Sequence, residues 1–208
     1  MKKILVAYAT FTGSTAEVAE AVADELAKHG FQVNVHPLSQ VQSLEEYDGV
    51  VLGAPMILGW HRAALKFLKK HREAFQRIPL AVFVMAISLT QTGETSVGGV
   101  PIFLDAQLPK PPQKQGRLSF RERYARLANY ARPILRATRP AKPVNIGFFG
   151  GRLEYGRLKW WAVLFVMLII QAQAGDRRNW AVIRSWAAGL PAALQLEQPK
   201  IDGPALVS

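Results

Sequence analysis

The sequence predicts a doubly wound α/β fold, a three-layer sandwich in which helices cover both faces of a parallel sheet. Three observations carry that expectation. Short, largely apolar runs at 4–9, 49–54, 80–87 and 144–149 read as strands buried on both faces. Stretches of helical period lie between most of them, at the length a parallel crossover needs. The first run passes straight into Thr10-Phe11-Thr12-Gly13-Ser14-Thr15, a hydroxyl-rich turn opening a helix, which is where ligands of such sheets sit.

After the first strand, a helix is expected over 15–29, with Val18, Val22 and Leu26 on one face and Gly30 as its stop. Residues 32–37 alternate around Val33 and Val35 and read as a half-buried edge strand. The buried third strand at 49–54 leads to a helix over 63–77, and 80–87 is the fourth strand. An irregular stretch follows through Gly98, Gly99, Pro101, Pro109, Pro111 and Pro112, of the kind that forms a lid or a loose excursion. A basic helical stretch over 119–138, broken near Pro133, precedes the fifth strand at 144–149, and a closing helix runs over 176–194. Residues 1–195 thus read as a single domain with insertions at about 90–118 and 152–172. The last residues, 196–208, contain Pro199, Gly203 and Pro204 with no period and read as a mobile tail.

The first loop has the chemistry of a phosphate site. Gly13 can turn the chain without a Cβ clash, and the first helical N–H groups then converge on one spot with the helix dipole behind them. Thr10, Thr12, Ser14 and Thr15 add hydroxyls, yet the loop holds no Lys or Arg. It lacks both the P-loop lysine and the three-glycine dinucleotide pattern, so one phosphate monoester held by neutral donors fits best.

This TxTGxT pattern after the first strand resembles the FMN-phosphate loop of flavodoxins. The resemblance implies a flavodoxin-like five-stranded parallel sheet of order 2-1-3-4-5, FMN as cofactor, and contacts to it from Thr10, Phe11, Thr12, Gly13, Ser14 and Thr15. In such a fold the loops after the third and fourth strands also face the cofactor. Pro55, Met56, Ile57, Leu58, Gly59 and Trp60 offer an apolar wall and a Gly-flexed backbone for an isoalloxazine ring, with Trp60 a candidate for stacking. His61 beside them reads as an ordinary residue at a helix start. Ser88, Leu89 and Thr90 complete the expected contacts. Their loop lacks the aromatic that many electron-transfer flavodoxins place on the outer flavin face, which leaves one side of the ring open to a stacking substrate.

Composition narrows the function further. With 208 residues, half of them hydrophobic, the chain can bury a sizeable core. It has no Cys, which removes disulfides, thiolate metal sites and cysteine nucleophiles, and its four His show no ligand spacing, so no metal is expected. Between Lys110 and Lys142 ten Lys or Arg face the single acid Glu122, within a formal net charge of +11. A field of that sign attracts anionic lipid, nucleic acid or a carboxylate-bearing substrate. Nucleic acid is set aside because no recognition motif accompanies the charge. The Met1-Lys2-Lys3 start runs into a strand without a cleavable apolar region, and a cytoplasmic location is expected.

Past the fifth strand, residues 160–170 form an unbroken apolar run, shorter than the roughly 20 residues a bilayer span takes. Trp160 and Trp161 stand beside Lys159, Arg157 and Arg152, the makeup of an interfacial membrane anchor. An apolar homodimer interface would hide the same residues, and that alternative stays open.

With 148–161, this apolar stretch, Gly175-Asp176 and the helix from Trp180, the chain resembles the bacterial quinone-dependent protoporphyrinogen oxidases, or protoporphyrinogen IX dehydrogenases, over nearly all of 1–194. The likeness is weaker across 90–117 and at Leu58, Trp60 and His61, where that family tends to carry Tyr and His. It implies an FMN-dependent oxidoreductase of haem biosynthesis that passes electrons from protoporphyrinogen IX, or another reduced substrate, to a membrane quinone. Flavin N5 then carries the chemistry, and no catalytic side chain is expected. Arg152, Arg157, Lys159, Trp160 and Trp161 would face substrate propionates or an anionic membrane, with the protein peripheral on the inner face of the cell membrane. An electron-transfer flavodoxin and an NAD(P)H:quinone reductase are the alternatives, although carriers of the first kind are usually acidic.

Overall fold

The computed structural model describes residues 1–57, 59–90, 93–114, 117–153 and 175–196. The first half of the chain forms β1 (Lys3–Tyr8), α1 (Ser14–Lys28), β2 (Gln32–Pro37), β3 (Gly49–Met56), α2 (Arg62–Lys70) and β4 (Leu80–Ala86). Every residue of β3 and β4 is buried, because successive side chains turn to opposite faces and both faces are covered. Val50, Leu52, Val82 and Val84 join the layer that holds Phe67 and Leu68 of α2. Val51, Ala81, Phe83 and Met85 join the layer that holds Val18, Val22 and Leu26 of α1.

Next come four short strands, β5 (Leu89–Thr90), β6 (Ser96–Val97), β7 (Val100–Leu104) and β8 (Pro109–Lys110). Then follow α3 (Phe120–Tyr124), α4 (Leu127–Thr138), β9 (Asn145–Gly150), β10 (Arg152–Leu153) and β11 (Gly175–Asp176), and the chain closes with α5 (Trp180–Ala188) and α6 (Leu190–Ala193). The main sheet runs β2-β1-β3-β4-β9-β7-β6. Its first five strands are parallel and reproduce the order 2-1-3-4-5.

The sheet has seven strands rather than five because the stretch after β4 is not simply irregular. Gly98 and Gly99, at φ 61° and 80°, make the two-residue turn that joins antiparallel β6 and β7. β7 then pairs in parallel with β9, Ile102 opposite Ile146, and covers what would otherwise be an exposed sheet edge.

Helix bounds also shift for identifiable reasons. The basic stretch breaks at 125–126 and not at Pro133, which α4 carries inside it. The carbonyls of Glu122 and Ala125 are taken by the Thr90 hydroxyl and N–H, so α3 ends there. The closing helix starts at Trp180, since Asp176 pairs with Arg152 across β10 and β11 and Asn179 caps the first turn by accepting from Val182 N.

Candidate functional site

β1 delivers the hydroxyl loop to the carboxyl end of the sheet, where Ala9 N donates to Gly53 O at 2.9 Å. The Thr10 hydroxyl accepts from Gly13 N at 2.9 Å and folds the loop on itself. Gly13 takes φ 91° as the residue before α1, and no side chain caps that helix. Ser14 and Thr15 are buried, Thr15 at 1% exposure, and the Thr15 hydroxyl has no hydrogen-bond partner. An uncapped helix start with a buried orphan hydroxyl suits an anion: each unsatisfied group costs about 1–3 kcal/mol until an acceptor arrives.

After β3 the chain makes a tight loop, with His61 N donating to Pro55 O at 3.2 Å, Gly59 at φ 89° and Met56 bridging to Trp60. Ile57 is turned to the cleft, whereas Met56 lies in the core. Trp60 does not form the expected ring wall. It is 3% exposed, and its indole N–H donates to Ala54 O at 3.2 Å, so the loop closes over it as part of the core. Leu58 lies outside the described residues.

The exposed aromatic here is Phe11, 49% exposed, with its ring centroid 4.6 Å from that of His61. His61 is more than an ordinary residue at a helix start: its Nδ1 accepts from Ala63 N at 3.2 Å and caps α2. Burial lowers its pKa, which favours the neutral ring that this cap requires.

The loop after β4 divides. Met85 and Ile87 face the cleft. Ser88 offers its carbonyl to the Tyr130 hydroxyl at 3.3 Å, and burial pushes that phenol's pKa up. Leu89 and Thr90 fold away as β5, paired with β8, and Thr90 spends its N–H and hydroxyl on α3. Both therefore support the site from behind instead of lining it.

These elements line an open cleft at the carboxyl ends of β1, β3, β4 and β9. Thr12, Ser14 and Thr15 line it with hydroxyls, Pro55, Ile57, Met85 and Ile87 with apolar surface, and Gly151, Arg152 and Leu153 join them from the segment after β9. Residues 5–179 match the flavodoxin domain family. The chain belongs to that family. Membership makes FMN the cofactor of the protein, and the orphan Thr15 hydroxyl beside an uncapped helix start suits an FMN phosphate.

Among flavodoxin-domain proteins, the chain is similar to a protein named protoporphyrinogen IX dehydrogenase [quinone] in Escherichia coli strain K12, 27% identical over 88% of each chain. The same figures hold for its counterpart in Escherichia coli O157:H7. An archaeal flavodoxin structure is 11% identical with a TM-score of 0.47, covering 93% of this chain and 99% of that one. A short-chain flavodoxin associated with a bacterial microcompartment is 24% identical with a TM-score of 0.36. That likeness covers 42% of this chain and 62% of the other. The fold assignment rests on the topology above, not on these structural likenesses.

Arg152 reaches the site by a route that spacing does not reveal. Two of its guanidinium nitrogens face the two oxygens of Glu17, in the first turn of α1, at 3.0 and 3.5 Å. Glu17 also holds Arg178 at 2.7 Å, and Arg178 is bound to Asp176 at 2.6 Å and lies 4.5 Å over the Trp180 ring. Hydrogen bonding from Arg178 keeps the Asp176 carboxyl below its usual pKa. Glu17 and Arg178 were not among the expected site residues. Arg157, Lys159, Trp160 and Trp161 lie within 154–174, outside the described residues, as does the stretch 197–208. Among the described residues no helix is long and apolar enough to cross a membrane.

Proposed function

We propose that the chain is an FMN-dependent dehydrogenase of haem biosynthesis that takes electrons from protoporphyrinogen IX, or a porphyrinogen-like reduced molecule, and passes them to a membrane quinone. The observation that carries this reading is the likeness to protoporphyrinogen IX dehydrogenases across 88% of both chains. The cleft supports it. Leu89 and Thr90 turn away, and Met85 and Ile87 line the wall after β4, so a flat apolar substrate meets no aromatic side chain from that strand end.

A bound FMN supplies the hydride-accepting and electron-passing chemistry. The chain's own work is positioning. Thr12, Ser14, Thr15 and the start of α1 would hold the phosphate, the backbone of Pro55, Ile57 and Gly59 would meet the polar edge of the ring, and Pro55, Ile57 and Ile87 would keep water from its apolar side. Docking on the cytoplasmic membrane face belongs to the same proposal, through Arg157, Lys159, Trp160 and Trp161, which would bring the cleft to an apolar quinone.

An anaerobic assay with protoporphyrinogen IX, NADH or NADPH as donor to a menaquinone analogue tests the reading. Protoporphyrinogen IX is expected to be the fastest donor. Faster turnover with NADPH would make the protein an NAD(P)H:quinone reductase, and no quinone turnover at all would leave an electron-transfer flavodoxin.

A further inference from the structure

The loop that takes the cofactor phosphate carries no Lys or Arg of its own. Neutral donors and a helix dipole can bind a dianion, but Glu17 stands in the same first turn and repels it. The fold answers that repulsion from a distant part of the chain. Arg152, on β10, lines the same cleft as Thr12, Ser14 and Thr15, and Glu17 grips it with a two-point fork. Arg178, its side chain 3% exposed, takes the other side of Glu17 and comes within 3.4 Å of the Ser14 carbonyl. Glu17 therefore serves as a holder for two guanidinium groups beside the first turn of α1.

We propose that Arg152, positioned by Glu17, is the counter-charge to the FMN phosphate and makes this site discriminate FMN from unphosphorylated riboflavin. This assigns Arg152 to the cofactor instead of to substrate or lipid, and it rests on FMN occupying this cleft. The guanidinium fork suits the role, since its planar donors match phosphate as well as carboxylate. Arg178 is the positioning residue behind it: bound to Glu17 and Asp176 together, it fixes the β10–β11 pair against the start of α1.

The test is titration of the apoprotein with FMN and with riboflavin, followed by quenching of flavin fluorescence, at low and high salt. Arg152→Gln is expected to weaken FMN about tenfold, leave riboflavin unchanged and flatten the salt dependence of FMN binding. Arg152→Lys should recover most of the loss. Glu17→Gln separates a charge role from a merely structural pair. Glu17→Gln loses the charge that grips Arg152 and is expected to weaken FMN by less than Arg152→Gln while leaving riboflavin unchanged, whereas a structural pair would weaken both flavins alike. Equal weakening of FMN and riboflavin by Arg152→Gln, or no effect on either, overturns the proposal. Failure of the wild-type protein to bind any flavin would instead overturn the cofactor assignment on which it rests.

Discussion

The Thr15 hydroxyl is buried with nothing to bond, so its presence costs stability until a phosphate oxygen accepts from it. Thr15→Val keeps the shape and removes the orphan. The apoprotein is expected to melt at the same or a higher temperature, while FMN binding weakens by about 1 kcal/mol, the worth of one neutral hydrogen bond. Calorimetry on the apoprotein and a flavin titration check the two signs separately, and a variant that loses stability without losing FMN would put the hydroxyl in the fold instead. Trp60 supplies the converse case. Trp60→Phe should cost roughly 1–2 kcal/mol, because the bond to Ala54 O goes and the core is left underfilled. The visible absorption of bound FMN should not change, and a shifted flavin band would return Trp60 to the ring.

Two elements depend on caps that the helix pattern alone does not disclose. α2 begins on neutral His61, whose Nδ1 accepts from Ala63 N. Burial holds its folded pKa below the usual 6.5, so between those two values the unfolded chain binds more protons than the folded one. The contribution of His61 is therefore complete above about pH 6.5 and is lost as pH falls toward the folded pKa. Denaturation midpoints from pH 7.5 to 5 should show that decline. His61→Asn, a cap that does not titrate, should flatten the part due to His61 and leave that of His71, which burial also lowers. The β6–β7 hairpin rests on Gly98 and Gly99, both at positive φ. Gly99→Val should cost about 1–2 kcal/mol from the left-handed backbone it forces on a branched residue, measured by urea unfolding.

Across the full chain, charge and apolar surface are distributed in a way that predicts where the protein works. Within the basic stretch from Lys110 to Lys142, Arg121, Arg123, Arg132 and Arg136 stand on α3 and α4, and the anchor-like residues 157–161 follow β10, which leaves the cofactor end of the sheet. Anionic vesicles should therefore carry the protein to the top of a flotation gradient, and Phe165→Glu with Val166→Asp should abolish that without altering oligomeric state. A wild type that stays off vesicles, with the double variant turning from dimer to monomer, would give the apolar run to a subunit interface.

The five core strands, the order of helices between them and the hydroxyl-rich turn before α1 were legible in the sequence because each rests on local rules. Period-2 and helical spacing, a Gly before a hydroxyl-rich helix start and the lack of a nearby cation need no knowledge of distant neighbours. The Gly98-Gly99 hairpin was missed: its two-glycine turn stands between Val97 and Val100, but the surrounding prolines hid it in a stretch read as irregular. Three-dimensional packing settled the rest. Whether Trp60 faces a ring or the core depends on which side of the loop between β3 and α2 meets Ala54, and whether Thr90 faces the cofactor depends on α3 needing donors at its end. The grip of Glu17 on Arg152 and Arg178 joins residues 135 and 161 positions apart. No periodicity encodes such a pair: Coulomb attraction depends on separation in space, and that separation exists only once β9 has carried the chain back over the start of α1.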